Sequence, residues 1–467
     1  MTAQLDNPLA AVNVDQQNRT VTVTASAQTG RATLTVTDSA GASLQIPVRV
    51  AFDAGTVPAE FTLRVSGNPV DPAWLQTQVQ KIVAQSVQLQ QGASFQVTPA
   101  TLPPSFAPGS TAAIPVSVHI AGGDQYFDVD AQPTVNVQSM DAPAFAPPLL
   151  FYDDDPEKLA ADGVVYRNQI STGTPARLYY YHQNSADTRR LLVVLRALQT
   201  PSTVHLIDAS AGPNPDVMTV GHNVSRDFLQ QKMRNEGIIV DVAPGTPYVV
   251  DRFSMQRLDG AAGSIGMQVL SGGTVQVTVV AVPANVSDAQ VAGYLDGPQL
   301  PGDGHRRTGT FRILASDGAA YGTEAIAYTV GGPDASTQYG ATSPPPADSA
   351  SGHDYGDYGV IRTFTFDVSN PTQQPATLYL YERPMGGVVR SSFLVDGTMF
   401  QPGCARLSQR YQVGQPLSVA PQSNAQITVQ TMTDGGSNYP LELGITPTPP
   451  LPTTPPISAP DGCFPKI

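Results

Sequence analysis

Apolar and polar residues alternate through most of the chain. Thr20-Val-Thr-Val-Thr-Ala25, Ala32-Thr-Leu-Thr-Val36 and Leu44-Gln-Ile-Pro-Val-Arg-Val50 each send every second side chain to one face, the period of a half-buried strand. The same pattern returns at Ala176–Tyr181, Arg190–Ala197, Thr203–Ile207, Tyr248–Phe253, Thr274–Val282, Ile361–Val368 and Gln426–Gln430. Helical spacing interrupts it twice. Behind Asp71-Pro72, a capping residue followed by a proline suited to the first turn, come Leu75, Val79, Ile82 and Val83. A second helix is expected from a Ser225 cap through Phe228, Leu229 and Met233 to Gly237. A third, short one is expected at Pro156, capped by Asp155 and closed by Gly163.

The strands repeat on a larger scale. Pro201-Ser-Thr-Val-His-Leu-Ile-Asp-Ala-Ser-Ala-Gly212 returns 174 residues later as Pro375-Ala-Thr-Leu-Tyr-Leu-Tyr-Glu-Arg-Pro-Met-Gly386. Gly237 and Val242-Ala-Pro244 return 177 residues later as Gly414 and Val419-Ala-Pro421. An offset that holds, slips by three and holds again describes a duplicated domain with a small indel. The expected organisation is a partial Ig-like β module at 1–54, a small α+β module at 55–143, and a first β-sandwich copy with a helix insertion at 144–300. A second copy at 301–445 and a proline-rich tail at 446–467 complete it. The first copy's helix should overlie Ala405–Val413. The fold class is therefore mainly β, as tandem Ig-like sandwiches with one α+β module.

Two stretches carry a family resemblance. Leu34-Thr-Val-Thr-Asp-Ser-Ala-Gly41 with Ile46-Pro-Val-Arg-Val50 resembles the closing hairpin of bacterial Ig-like domains of surface proteins. Val368-Ser-Asn-Pro-Thr-Gln-Gln-Pro-Ala-Thr-Leu378 is similar to the strand-turn-strand of adhesion-type Ig-like or fibronectin-like modules. The resemblance implies β-sandwich modules on a bacterial cell surface.

Composition narrows the function. Only 13% of residues are charged, with 43 prolines and 41 glycines among 467, against about 25% charged in an ordinary domain. The net charge of −13 is spread along the chain, so no basic face exists for nucleic acid. No apolar run approaches the ~20 residues needed to span a bilayer. Met1-Thr-Ala-Gln-Leu-Asp6 lacks a basic start and an apolar stretch, so a mature or truncated form of a secreted or cell-surface protein is expected. Cys404 and Cys463 are expected to form a disulfide that pins the tail to the second copy.

No nucleophile elbow, phosphate loop, His-Glu-x-x-His or Cys-x-x-Cys occurs, and no dinucleotide fingerprint. No cofactor or catalytic residue is therefore assigned. Four clusters carry candidate chemistry. Asp153-Asp154-Asp155-Pro-Glu157 has the carboxylates for calcium, weighed against a helix cap. Gly302-Asp-Gly-His-Arg-Arg-Thr308 has the arginines to grip an anion, weighed against a solvated turn. Gly352-His-Asp-Tyr-Gly-Asp-Tyr-Gly359 mixes aromatics and carboxylates as sugar-contacting loops do, weighed against a flexible entry loop. In Tyr179-Tyr-Tyr181-His182, Tyr179 and Tyr181 share one face and Tyr180 takes the other, with core packing the plain reading. Trp74, the sole tryptophan, reads as a core anchor.

The repeat adds a candidate surface. Val204, Leu206, Leu378 and Leu380 fall on one face of their strands, His205, Ile207, Tyr379 and Tyr381 on the other. That second face is too apolar for solvent and should be covered by a neighbouring domain or a glycan. The reading is a secreted or cell-surface, non-catalytic structural or adhesive protein whose partner is a surface protein or polysaccharide. The alternatives are a polysaccharide-binding accessory module of a carbohydrate-active system, and an enzyme with a dispersed site. One consequence is direct. Residues 1–54 expressed alone should lack cooperative unfolding, since so few strands leave edges and half a core uncovered; a sharp thermal transition for that fragment would contradict it.

Overall fold

The computed structural model describes residues 1–98, 101–103, 106–314, 319–452 and 463, and the chain is mainly β. It divides into two compact units, the first of residues 1–64 and 69–139, the second of 65–68 and 140–467. The expected boundaries at 54/55 and 300/301 lie inside these units.

In the first unit, Thr2–Leu5, Gly30–Thr37 and Ser43–Val50 form an antiparallel sheet, and Ala10–Asp15 pairs with Thr20–Ala25 as a hairpin. Leu9, Ala32 and Leu34 are buried while Leu44 remains 62% exposed. The helix Pro72–Ala84 begins where Asp71 accepts bonds from the amides of Ala73 and Trp74, and it buries Leu75, Val79 and Val83. Ser94–Thr98, Ser117–Ala121 and Val129–Ala131 build a second antiparallel sheet.

The second unit contains two sandwiches. In the first, Gly237–Val242, Ser202–Asn214, Gly260–Ser271, Ala176–Asn184, Leu149–Asp153 and Thr308–Arg312 lie side by side in that order. They face a sheet of Gly163–Ile170, Val275–Pro283, Arg189–Ala197 and Tyr248–Met255. Leu178, Leu206, Ile265, Leu191, Val193 and Val277 fill the space between. In the second, Ala335–Tyr339, Leu441–Thr446, Ala376–Pro384 and Tyr411–Val419 face a sheet that includes Thr323–Thr329, Ile361–Asn370 and Ser423–Met432. Phe364, Phe366, Leu378, Leu380, Val429 and Leu443 fill that core.

The repeated segments occupy equivalent strands. Thr203 faces Asp241 and Val204 faces Val240; after the 174- and 177-residue offsets, Thr377 faces Ser418 and Leu378 faces Leu417. In both sandwiches the repeated strand lies between the strand that follows it in this pairing and a later antiparallel one, Gly260–Ser271 or Leu441–Thr446.

Three local expectations are corrected. The helix runs Val217–Arg234, capped by Asp216 through the Thr219 amide and closed by Asn235 in the left-handed conformation at φ 51°. Ser225 is interior to it and buried, and Gly237 opens the next strand. The second sandwich has no equivalent helix, because Ala405 bridges to Val389 and Tyr411–Val419 is a strand. No helix starts at Pro156 either. Asp155 accepts a bond from the Asp303 amide instead of capping, and Lys158–Leu159 pairs alongside Gln183 and Asn184 with Leu159 fully buried. Among the described residues, no helix is long and apolar enough to cross a membrane. Cys404 and Cys463 are joined in a disulfide, their Cα atoms 5.4 Å apart.

The helix Val217–Arg234 lies on the outer face of the first sandwich, where Val220, Val224, Phe228 and Leu229 meet Tyr179, Tyr181 and Ile207. Val360, Leu394 and Met432 of the second sandwich close over the same cluster. At Gly221 the helix approaches the second sandwich so closely that a Cβ there would lie 1.9 Å from the Gly435 carbonyl oxygen. Helix propensity alone makes Gly221→Ala stabilising by about 1 kcal/mol. The backbone contact reverses the sign, so a net loss of about 1–3 kcal/mol is expected. A raised melting temperature for Gly221→Ala would show that the two sandwiches do not hold this contact.

Candidate functional site

The four sequence clusters converge on one cavity of about 200 Å³ in the second unit. Its foundation is the strand Ala176–Asn184. Pleating turns Tyr180 inward, where its hydroxyl donates to Asp251 at 2.8 Å, and turns Tyr179 and Tyr181 outward. The neighbouring strand Leu149–Asp153 runs parallel in a register that sets Tyr152 beside Tyr179, with ring centroids 6.1 Å apart and an interplanar angle of 17°. Beyond that strand's end, Asp154 and Glu157 reach the cavity wall.

The loop 302–308 contributes Arg307, which donates to Glu157 at 2.7 Å and to Asp303 at 2.5 Å and lies 3.7 Å from Asp154. The loop 352–359 contributes Tyr358, whose hydroxyl donates to the Ser437 carbonyl at 3.0 Å. The last wall is Gly435-Gly436-Ser437-Asn438, where the Gly435 amide donates to the Tyr179 hydroxyl at 2.9 Å. A Cβ at Gly435 would stand 2.6 Å from the Tyr181 ring, so only glycine fits against the tyrosine face. Sequence reasoning missed this wall because Gly-Gly-Ser-Asn reads simply as a turn.

Charge at the site is layered. Fully buried His182 contacts the Pro156 carbonyl at 2.9 Å through Nδ1 and Asp153 at 3.0 Å through Nε2. Burial opposes its charged form, but Asp153, Asp154 and the Pro156 carbonyl together outweigh burial and hold the imidazole above its ordinary value. Burial pushes the Asp154 carboxyl up to about 8, with Arg307 and His182 pulling it back. Its Oδ2 accepts a bond from the Tyr152 hydroxyl at 3.2 Å, while its buried Oδ1 has no hydrogen-bond partner. Burial also raises the phenols of Tyr152, Tyr179, Tyr181 and Tyr358, which remain neutral. The cavity thus presents neutral phenols, a protonated carboxyl and a guanidinium, a mixture of donors, acceptors and aromatic rings.

The carboxylates of Asp153, Asp154 and Asp155 diverge to His182, Tyr152 and the Asp303 amide. No group of three metal-ligating side chains occurs among the described residues.

The residues of the repeated strands lie elsewhere. His205 is buried, its Nε2 2.7 Å from the Ser66 hydroxyl, and burial lowers it to about 4. Ile207 packs beneath the helix Val217–Arg234. Tyr381 is fully buried, donating to Glu442 at 2.7 Å with the Arg410 guanidinium 4.3 Å above its ring. Tyr379 is half-buried opposite Thr446.

No protein-family model and no curated protein matches the chain. Among solved structures it is similar to the M60 catalytic domain with the CBM51-1 and CBM51-2 domains of Clostridium perfringens ZmpB, at 9% identity over 91% of this chain and 49% of that one, TM-score 0.15. Tripeptidyl peptidase 2 aligns at 9% identity over 91% and 32%, TM-score 0.16. The CBM22-1-CBM22-2 tandem of Paenibacillus barcinonensis Xyn10C aligns at 8% over 77% and 92%, TM-score 0.13. The chain spans about half the length of the first of these and a third of the second. Similarity at such scores carries no argument about function.

Asp154 gives a pH test. A carboxyl held at about 8 when folded, against the ordinary 3.8, binds its proton more tightly in the folded state. Stability from this site is therefore fully present below about pH 4 and is lost as pH rises towards 8. Asp154→Asn mimics the protonated form and should gain on the wild type by on the order of a few kcal/mol between pH 5 and pH 9. Melting curves whose difference is the same at both pH values would refute the protonated Asp154.

Proposed function

We propose that the protein recognises a glycan outside the cell without cleaving it, taking one sugar unit into the cavity of Tyr152, Tyr179, Tyr181 and Tyr358. The supporting observation is the convergence of those four rings with Asp154, Arg307 and Asn438 on a single space. A sugar presents apolar C–H faces and a rim of hydroxyls, and needs both aromatic surface and fixed polar groups. The volume, below the ~300–1,000 Å³ of drug-sized sites, suits one residue or chain end. A purely structural or adhesive role gives no reason for Asp154 and Arg307 to border an open cavity beside four tyrosine rings.

The test is a glycan array followed by titration of the best binder. Tyr181→Phe keeps the ring and removes one hydroxyl, so the melting temperature should hold while affinity falls about tenfold, the scale of one lost hydrogen bond. Equal affinity for Tyr181→Phe removes the cavity from binding. Release of new reducing ends from the bound glycan would replace recognition with hydrolysis, in which Asp154 serves as the proton donor.

A further inference from the structure

Two residues before Tyr179 on the same strand, Arg177 opens a second cavity, of about 230 Å³. Its walls are apolar, with Phe145, Phe228, Val360 and Ile361 among them, yet two cations reach it, Arg177 and Lys232. Arg177 is only 2% exposed. One of its terminal nitrogens donates to the Gly359 carbonyl, the other lies 3.7 Å from the Met432 sulfur, and Nε has no hydrogen-bond partner. Phe228 stacks beneath the guanidinium at 5.2 Å. Among the described residues, neither Arg177 nor Lys232 forms an ion pair. Burial lowers the Lys232 ammonium, and the nearby Arg177 charge lowers it further.

Buried Arg177 and half-buried Lys232 both line this space, and no carboxylate does; the Asp354 carboxyl acts on Arg177 but is not among the lining residues. Desolvation disfavours such charges and like charges repel, so the cavity is complementary to an anion carrying apolar substance. We propose that this cavity binds a small amphiphilic carboxylate, with its chain against Phe145, Phe228 and Ile361 and its carboxylate between Arg177 and Lys232. The space, at roughly 30 Å³ per water-sized group, suits a short chain or a single aromatic ring. Arg177 and Lys232, both lining the cavity, supply the positive charge that a carboxylate neutralises. This site shares no residue with the tyrosine cavity, and it stands or falls independently of glycan recognition.

Octanoate and 1-octanol are the probes, titrated calorimetrically into the full chain at pH 7. Octanoate should bind saturably with one site and about tenfold tighter than 1-octanol, and it alone should raise the melting temperature. Lys232→Met keeps the aliphatic stem on the last turn of its helix. It should weaken octanoate about tenfold and leave 1-octanol unchanged. Absence of saturable octanoate binding to the wild type overturns the proposal without any variant. So does equal binding of acid and alcohol, or undiminished octanoate binding by folded Lys232→Met.

Discussion

Both cavities of the second unit depend on the apolar seam between the outer face of the first sandwich and the second sandwich. Tyr179, Tyr181, Ile207, Phe228, Leu394 and Met432 share that seam. Fully burying side chains of this size is worth about 1.5–3 kcal/mol each. Arg177 works against the total, because removing a charge from water costs several kcal/mol. A desolvated cation–π contact returns about 2 kcal/mol, and one charged hydrogen bond about 1.5–3. These nearly cancel, so Arg177 is held in place by its neighbours. It is a charge the seam carries, and the apolar residues around it supply the excess.

The seam also explains why groups shifted by burial gather at one place. Asp154, Tyr152, Tyr179 and Tyr358 are all raised chiefly by burial. That burial comes from the first sandwich's strands, the 302–308 loop and the second sandwich's 435–438 turn together. No sandwich alone encloses them. The cavity is a product of the pairing, and a change such as a side chain at Gly435 would disturb the pairing and the site together.

Much of this was legible along the chain, and the limits are physical. Alternation in Tyr179-Tyr-Tyr181 correctly separates the two faces, because a strand has period two whatever it packs against. Asp71-Pro72 starts a helix as expected, since capping is local. Asp155-Pro156 carries the same local signal and starts none, because pairing of Lys158–Leu159 beside Gln183 and burial of Leu159 outweigh a cap. Ser225 misleads in the opposite way: a good cap residue sits inside a helix that Asp216 already capped two turns earlier. The meeting of residues 152–157, 179–181, 307, 358 and 435–438 could not be read, since only the docking of two sandwiches sets those distances.

The repeated strands show how similar copies come to differ in use. Both direct aliphatic residues to their own cores, Val204 and Leu206 in one, Leu378 and Leu380 in the other. Their opposite faces must be shielded, and the two solve this differently. In the first, Ile207 is covered by the helix Val217–Arg234, an element the second sandwich lacks. In the second, Tyr381 is covered by Arg410 and bonded to Glu442, while Tyr379 on the same face stays half-buried. The inserted helix does more than shield. Through Gly221 it meets Gly435, and through Phe228 and Lys232 it forms one wall of the apolar cavity. The asymmetry between the copies therefore creates the seam, and both cavities follow from it.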